Sequence, residues 1–154
     1  MSGSVSSAPG IIRALQTALT AEHAAVYGYG VAGAYLTGTT KATATSDWVA
    51  HQVARDHLEA VLRSLGAQPA AAAVAYQLPA PVRNARGAVA LAVVLEERIA
   101  TAYLGLVALS NASIRDYGAL QVQASALRAA AWRGGTVAFP GMPAAALARP
   151  RNRS

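Results

Sequence analysis

Glu22 and Glu96 stand where a helical protein would place leucine. A 3,4 spacing through Ile12, Leu15, Leu19, Glu22, Val26, Tyr29 and Gly33 carries the first glutamate in the middle of an apolar stripe. The same spacing through Val89, Ala92, Glu96, Ile99, Tyr103 and Leu106 carries the second. Residues at this period share one face of an α-helix, so both carboxyl groups are expected to point into a core. A carboxylate there is costly unless it binds a metal, pairs with a cation or keeps a proton. Metal ligation, a buried ion pair and proton retention are therefore the chemistries this pattern allows.

The segment around His51 chooses among them, and it can be read in two registers. One stripe is Trp48, His51, Arg55, Leu58, Leu62 and Leu65; the other is Asp47, His51, Ala54, Leu58, Val61 and Leu65, which moves Arg55 toward the edge. A fourth stripe, Tyr117, Leu120, Ala124, Leu127 and Ala131, offers no ligand. Antiparallel packing of the four brings Glu22, the His51–Arg55 turn, Glu96 and Ala124 to one height. The expectation is a buried polar layer of Glu22, His51, Arg55 and Glu96, with the Arg55 guanidinium forking to both carboxylates. The alternative is a metal ion held by Glu22, His51 and Glu96.

The remaining chemistry-bearing side chains have plainer readings. His23 follows Glu22 and lies about 100° around the helix, facing outward. His57 sits on a helix flank beside Asp56 and Glu59, and Glu59–Arg63 has the spacing of a surface pair. Glu97 points off the Glu96 stripe, toward an arginine that the sequence does not single out. Tyr27, Tyr29, Tyr35 and Tyr103 read as packing residues with hydrogen-bonded hydroxyls. Trp48, Trp132 and Phe139 read as staples at the bundle ends. No Ser–His–acid constellation stands out.

Elements must hold these residues in place. A disordered leader is expected over 1–10, then helices over about 11–36, from Thr45 or Ser46 to Gly66, over 84–110, and from Ser113 to Trp132. Thr37–Thr40 closes the first helix, and Gly66 and Gly134–Gly135 are stop signals. Residues 67–82, with Pro69, Pro79 and Pro81, form the long connection, and Tyr76–Pro79 is expected to pack across the bundle. Val137–Gly141 reads as a docked strap, and 143–154 as a loose basic tail.

Hydrophobic residues make up 54% of the 154 and charged residues 13%. The alanine- and leucine-rich composition favours helix over sheet. So few charges cannot cover four exposed faces, so apolar surface is expected to be shared between subunits. The glycine strip Gly28, Gly30 and Gly33, and Leu91, Val94, Leu95, Leu104 and Leu109 off the third stripe, suggest a two-fold homodimer. With no cysteine, disulfide and thiolate chemistry are excluded. The first residues lack the pattern of a secretory signal, and Glu96-Glu97-Arg98 interrupts the most apolar stretch, so no membrane span is expected. A cytoplasmic location follows as the default. Of the net charge of +6, three charges come from Arg149, Arg151 and Arg153, leaving ten basic and seven acidic residues before them. A solvated tail, rather than nucleic-acid binding, is the expectation.

The segments Ala21-Glu22-His23-Ala24-Ala25-Val26-Tyr27-Gly28-Tyr29-Gly30, Leu95-Glu96-Glu97-Arg98, Ala131-Trp132-Arg133-Gly134 and Phe139-Pro140-Gly141 resemble the actinobacterial-type ferritin-like family of unknown function. The resemblance spans about residues 11–142. It implies an all-α, ferritin-like antiparallel four-helix bundle, as a dimer, and it brings no established activity. Di-iron members of the wider fold use one glutamate from each of two helices and a Glu-x-x-His motif from each of the other two. Glu22 and Glu96 match the single glutamates, but neither Glu-x-x-His motif is present. The expectation is thus a metal site replaced by a polar layer, with no cofactor and no catalysis; an iron- or manganese-binding redox protein is the alternative.

Overall fold

The computed structural model describes residues 8–134. The Val137–Gly141 strap, the 143–154 tail and leader residues 1–7 lie outside that range. Four helices account for most of it: α1 (Ala8–Gly33), α2 (Gly38–Ser64), α3 (Ala85–Val107) and α4 (Ala112–Arg133). The described residues contain no strand, and no helix is long and apolar enough to cross a membrane. Short joints link α1 to α2 and α3 to α4, while residues 65–84 carry the chain between the two hairpins.

Local chemistry explains most boundaries. α1 begins at Ala8, earlier than the expected leader end at residue 10, because Pro9 in a first turn loses no intrahelical hydrogen bond. α2 begins at Gly38 and absorbs Thr39–Thr45, so the joint is shorter than expected. Thr37 is its N-cap by backbone geometry alone, with no side-chain capping bond. Asn84 caps α3 by accepting from the Gly87 amide at 2.9 Å, and Asn111 caps α4 by accepting from Ile114 at 3.0 Å. Gly66 (φ 72°) and Gly134 (φ 77°) take the left-handed conformation that ends α2 and α4.

Two apolar clusters fill the interior. Leu15, Leu19, Leu58, Leu62, Ile99, Tyr103 and Leu106 form one; Tyr29, Ala32, Leu36, Leu91 and Leu95 anchor the other. Burying each such leucine contributes roughly 1.5–3 kcal/mol. Leu91 and Leu95 were expected on an outer flank, yet they are 5% and 4% exposed within the single chain. Gly28 explains the position of Leu95, since a Cβ there would stand 2.6 Å from Leu95 Cδ1. The glycine lets α3 approach α1 inside the bundle.

The register of α4 also departs from its apolar stripe. Gly118, Ser125 and Ala129 face inward, whereas Leu120 and Leu127 are 62% and 71% exposed. Gly118 fixes this choice. A Cβ at 118 would lie 2.7 Å from Leu106 Cβ and 3.2 Å from the Tyr103 carbonyl, so only glycine fits against α3. α4 packs mainly on α3, and α1 packs on both α2 and α3. Across the α2–α4 seam, long side chains make the bridges: Trp132 and Arg128 to Asp47, and Tyr117 to His57.

The connection is clamped to α1. Gln16 donates to the Gln68 carbonyl at 2.7 Å and accepts from the Ala70 amide at 2.8 Å. His23 does not face solvent as its position predicted; it is 7% exposed, with Nε2 3.0 Å from the Ala70 carbonyl. Tyr76 meets the Tyr27 ring at 5.5 Å and Leu78 packs on the second apolar cluster, so the connection does cross the bundle.

Gly118→Ala is expected to destabilise the protein by about 1–3 kcal/mol, since α3 backbone and a buried Cβ must shift. Gly30, with nothing within 4 Å of its Cβ position, should behave oppositely. Gly30→Ala is expected to stabilise by up to about 1 kcal/mol. Thermal melts of the two variants beside wild type check both signs.

Candidate functional site

Between the two apolar clusters lies a charged layer. Glu22 from α1, His51 from α2 and Glu96 from α3 are 0%, 1% and 0% exposed. His51 Nδ1 is 2.7 Å from Glu22 Oε2, and Nε2 is 2.9 Å from Glu96 Oε1. Carboxylate oxygens only accept, so both bonds form when each ring nitrogen carries a proton. The ring is then an imidazolium strung between two acids. Burial alone would lower the His51 pKa, but hydrogen bonds and charge attraction from Glu22 and Glu96 outweigh it and raise the value to about 9. Glu96 moves the other way: burial pushes it up, and the bond and charge of His51 pull it below its ordinary value.

Each glutamate has a second fixed donor. Tyr103 Oη donates to Glu22 Oε1 at 2.7 Å, and Tyr29 Oη donates to Glu96 Oε1 at 2.7 Å. The two contacts are reciprocal: a glutamate and a tyrosine seven residues later on α1 face a glutamate and a tyrosine seven residues later on antiparallel α3. Burial raises both tyrosine pKa values, so the hydroxyls stay protonated as donors. The Tyr29 ring also stacks on His51, with centroids 5.3 Å apart and planes inclined by 26°. That arrangement places an aromatic face within cation–π range of the imidazolium.

A second ring of residues closes the α4 side. Trp132 Nε1 donates to Asp47 Oδ2 at 2.8 Å and approaches Tyr29 Oη at 3.1 Å. Arg128 places Nη1 3.5 Å from Glu96 Oε2 and Nε 3.5 Å from Asp47 Oδ1. Asp47 is 8% exposed; burial raises its pKa, against the hydrogen bond from Trp132. Glu96 Oε2, Ser125 Oγ and Tyr117 Oη are buried and have no hydrogen-bond partner among the described residues.

The structure brings Glu22, His51 and Glu96 together and leaves Arg55 out. Arg55 bonds through Nε and Nη2 to Asp56 Oδ1 at 2.8 and 2.7 Å, at the protein surface. The reason is register. The inward face of α2 is Ala44, Asp47, His51, Ala54, Leu58 and Leu62; through Ala54 it follows the register that carries Arg55 to the edge, with Leu62 of the other stripe in place of Val61 and Leu65. The guanidinium near the carboxylates is that of Arg128, from the helix expected to be a blank wall. Tyr29 and Tyr103 are ligands of the layer, beyond packing, and Trp132 belongs to it rather than to a bundle end. The shared glutamate–tyrosine spacing on α1 and α3 was the sequence signal for the tyrosines. Arg128 had none, because the inward face of α4 is not its apolar one. Glu97 pairs with Arg133, and Glu59 with Arg63 at 2.8 Å, both on the surface.

The donor set has a definite chemistry. Both His51 nitrogens are spent on carboxylates at opposite edges of the ring, and no group of three or more His, Cys, Asp and Glu side chains among the described residues is arranged to hold a metal ion. What the arrangement offers is a place for a proton between two acids, buried inside the bundle.

Two outcomes follow. Arg55→Met should melt within about 0.5 kcal/mol of wild type, whereas Arg128→Met should be the more destabilised, since it strips the counter-charge from Glu96 and Asp47. Stability should also have an alkaline limb. The folded His51 pKa is raised from 6.5 to about 9, so its stabilisation is complete below pH 6.5 and is lost as pH climbs through 9. That loss amounts to roughly 3 kcal/mol. Urea titrations across this range, with His51→Leu lacking the limb, check the sign.

Comparison with known proteins bears on the family and the fold. The family described as "Domain of unknown function (DUF4439)" matches residues 14–144. Among curated proteins none matches the chain. The chain is similar to a conserved hypothetical protein of Mycobacterium tuberculosis, whose crystal structure aligns with a TM-score of 0.79 at 31% identity, covering 82% of this chain and 96% of that one. It also aligns with a ferritin-like, diiron-carboxylate protein of Bacillus anthracis, with a TM-score of 0.71 at 15% identity, covering 82% and 95%. At that identity the second likeness concerns the fold alone. With four antiparallel helices around a carboxylate layer, and a family match over most of its length, the chain belongs to the DUF4439 family and has the ferritin-like four-helix fold.

Proposed function

We propose that this protein is a non-catalytic ferritin-like bundle in which a proton on His51 stands where the wider fold places metal. The observation that carries the reading is the commitment of both His51 ring nitrogens to Glu22 and Glu96. A histidine ligand offers a metal one unprotonated nitrogen, and here both nitrogens lie at hydrogen-bond distance from an acid. The residues present therefore do not fit a di-iron centre. α2 and α4 lack the two Glu-x-x-His motifs, and α4 contributes the cation Arg128 in their place. The layer acts as an internal polar clamp that fixes how α1, α2 and α3 meet, and the outside of the bundle does the binding.

That outside includes the exposed Leu120–Leu127 stripe of α4, which suits a two-fold homodimer in a cytoplasmic setting. Sedimentation of the full chain at a molecular mass of one subunit would remove the dimer from this reading.

Metal analysis of protein purified without a histidine tag or chelator, followed by aerobic titration with iron and with manganese, tests the main claim. The expected result is no stoichiometric metal and a melting temperature that added metal leaves in place. One equivalent of iron, manganese or zinc that disappears in Glu22→Ala would overturn it, and would restore the reading in which Glu22, His51 and Glu96 are ligands.

A further inference from the structure

Where α1 ends and α2 begins, the surface holds a groove of about 330 Å³, lined by Tyr29, Gly30, Gly33, Lys41, Thr45 and Trp48 together with two alanines. This lies at the lower end of the size range of small-molecule sites. Three independent features give it a chemical character.

Its floor is bare backbone. Gly30 lies in the interior of α1 and has no heavy atom within 4 Å of its Cβ position; a Cβ on Gly33 would reach only the Lys41 Nζ, at 3.9 Å. An alanine in a helix interior is about 1 kcal/mol more favourable than glycine. Among the described residues nothing in the packing forbids one at Gly30, unlike Gly28 and Gly118.

Its walls are already set. The Trp48 indole N–H donates to the Val26 carbonyl at 3.1 Å, and the Tyr29 hydroxyl is held by Glu96 and Trp132. Side chains fixed in this way lose little freedom when a ligand arrives.

Its charge is single and positive. Lys41 is the one lysine of the chain and the one charged side chain of the lining. Its ammonium donates to the Gly33 carbonyl, which holds it at the groove. An ammonium has three donors, and among the described residues no carboxylate pairs with it.

We infer that this groove binds a small aromatic carboxylate, with its ring against Trp48 and the Gly30–Gly33 backbone and its carboxylate on Lys41. The site lies apart from the charged layer and shares with it only Tyr29, so it stands whether or not the layer can be made to hold metal.

Cinnamate, with cinnamyl alcohol as the uncharged control, is titrated into the isotope-labelled full chain and followed by amide and indole resonances. Cinnamate should shift the Trp48 indole and the Gly30, Gly33 and Thr45 amides saturably, leaving the Leu120 face unmoved. Lys41→Met should weaken cinnamate by at least about tenfold and leave the alcohol as it was. Gly30→Leu should abolish both while melting no lower than wild type. Thr45→Phe, which adds bulk from an exposed position on α2, is the second filling variant should Gly30→Leu not fold. Absence of saturation at millimolar cinnamate, shifts that survive groove filling, or equal binding of acid and alcohol would each overturn the assignment.

Discussion

Three ionisable side chains removed from water must satisfy one another, and the interior of this bundle is organised around that requirement. Glu22 and Glu96 cannot both stay buried without a counter-charge, and His51 cannot be an imidazolium without two acceptors. Each condition meets the other. The two tyrosine hydroxyls and Arg128 then occupy the remaining oxygens or approach them, and Trp132 ties Asp47 and Tyr29 to the same network. A layer of this kind adds little net stability over a well-packed apolar one, because desolvation offsets the attraction. Its effect is positional: a sliding helix would leave a buried charge alone.

The reciprocal contacts between α1 and α3 show how that works. Tyr103 meets Glu22 and Tyr29 meets Glu96 only in one antiparallel register. A shift by one turn would break both bonds and strand both carboxylates. The apolar clusters on either side could tolerate such a shift far better, since leucine contacts are not directional. The polar layer therefore specifies the alignment, and the leucines supply most of the energy.

α4 joins under a different constraint. Its inward face is Gly118, Ser125, Arg128 and Ala129 because it must lie close to α3 at one end and supply a cation at the other. Its leucines are left outside as a result. Close approach at Gly118 and an open floor at Gly30 also show that glycines of one chain need not share a purpose. The first is required by backbone proximity, while the second keeps a groove open beside the single lysine.

The sequence by itself determined the helical fold, the burial of Glu22 and Glu96, the inward placement of His51 and the absence of both Glu-x-x-His motifs. Each of these follows from period and residue type along one helix, where the geometry is local. It did not decide between two registers of α2 that differ in whether Arg55 points inward. Nor did it reveal that α4 turns its apolar stripe to solvent and brings Arg128 to the layer. Those outcomes depend on backbone clearance at Gly118 and on which cation can reach Glu96 across the seam. Distances between helices decide them, and only the tertiary structure sets those distances.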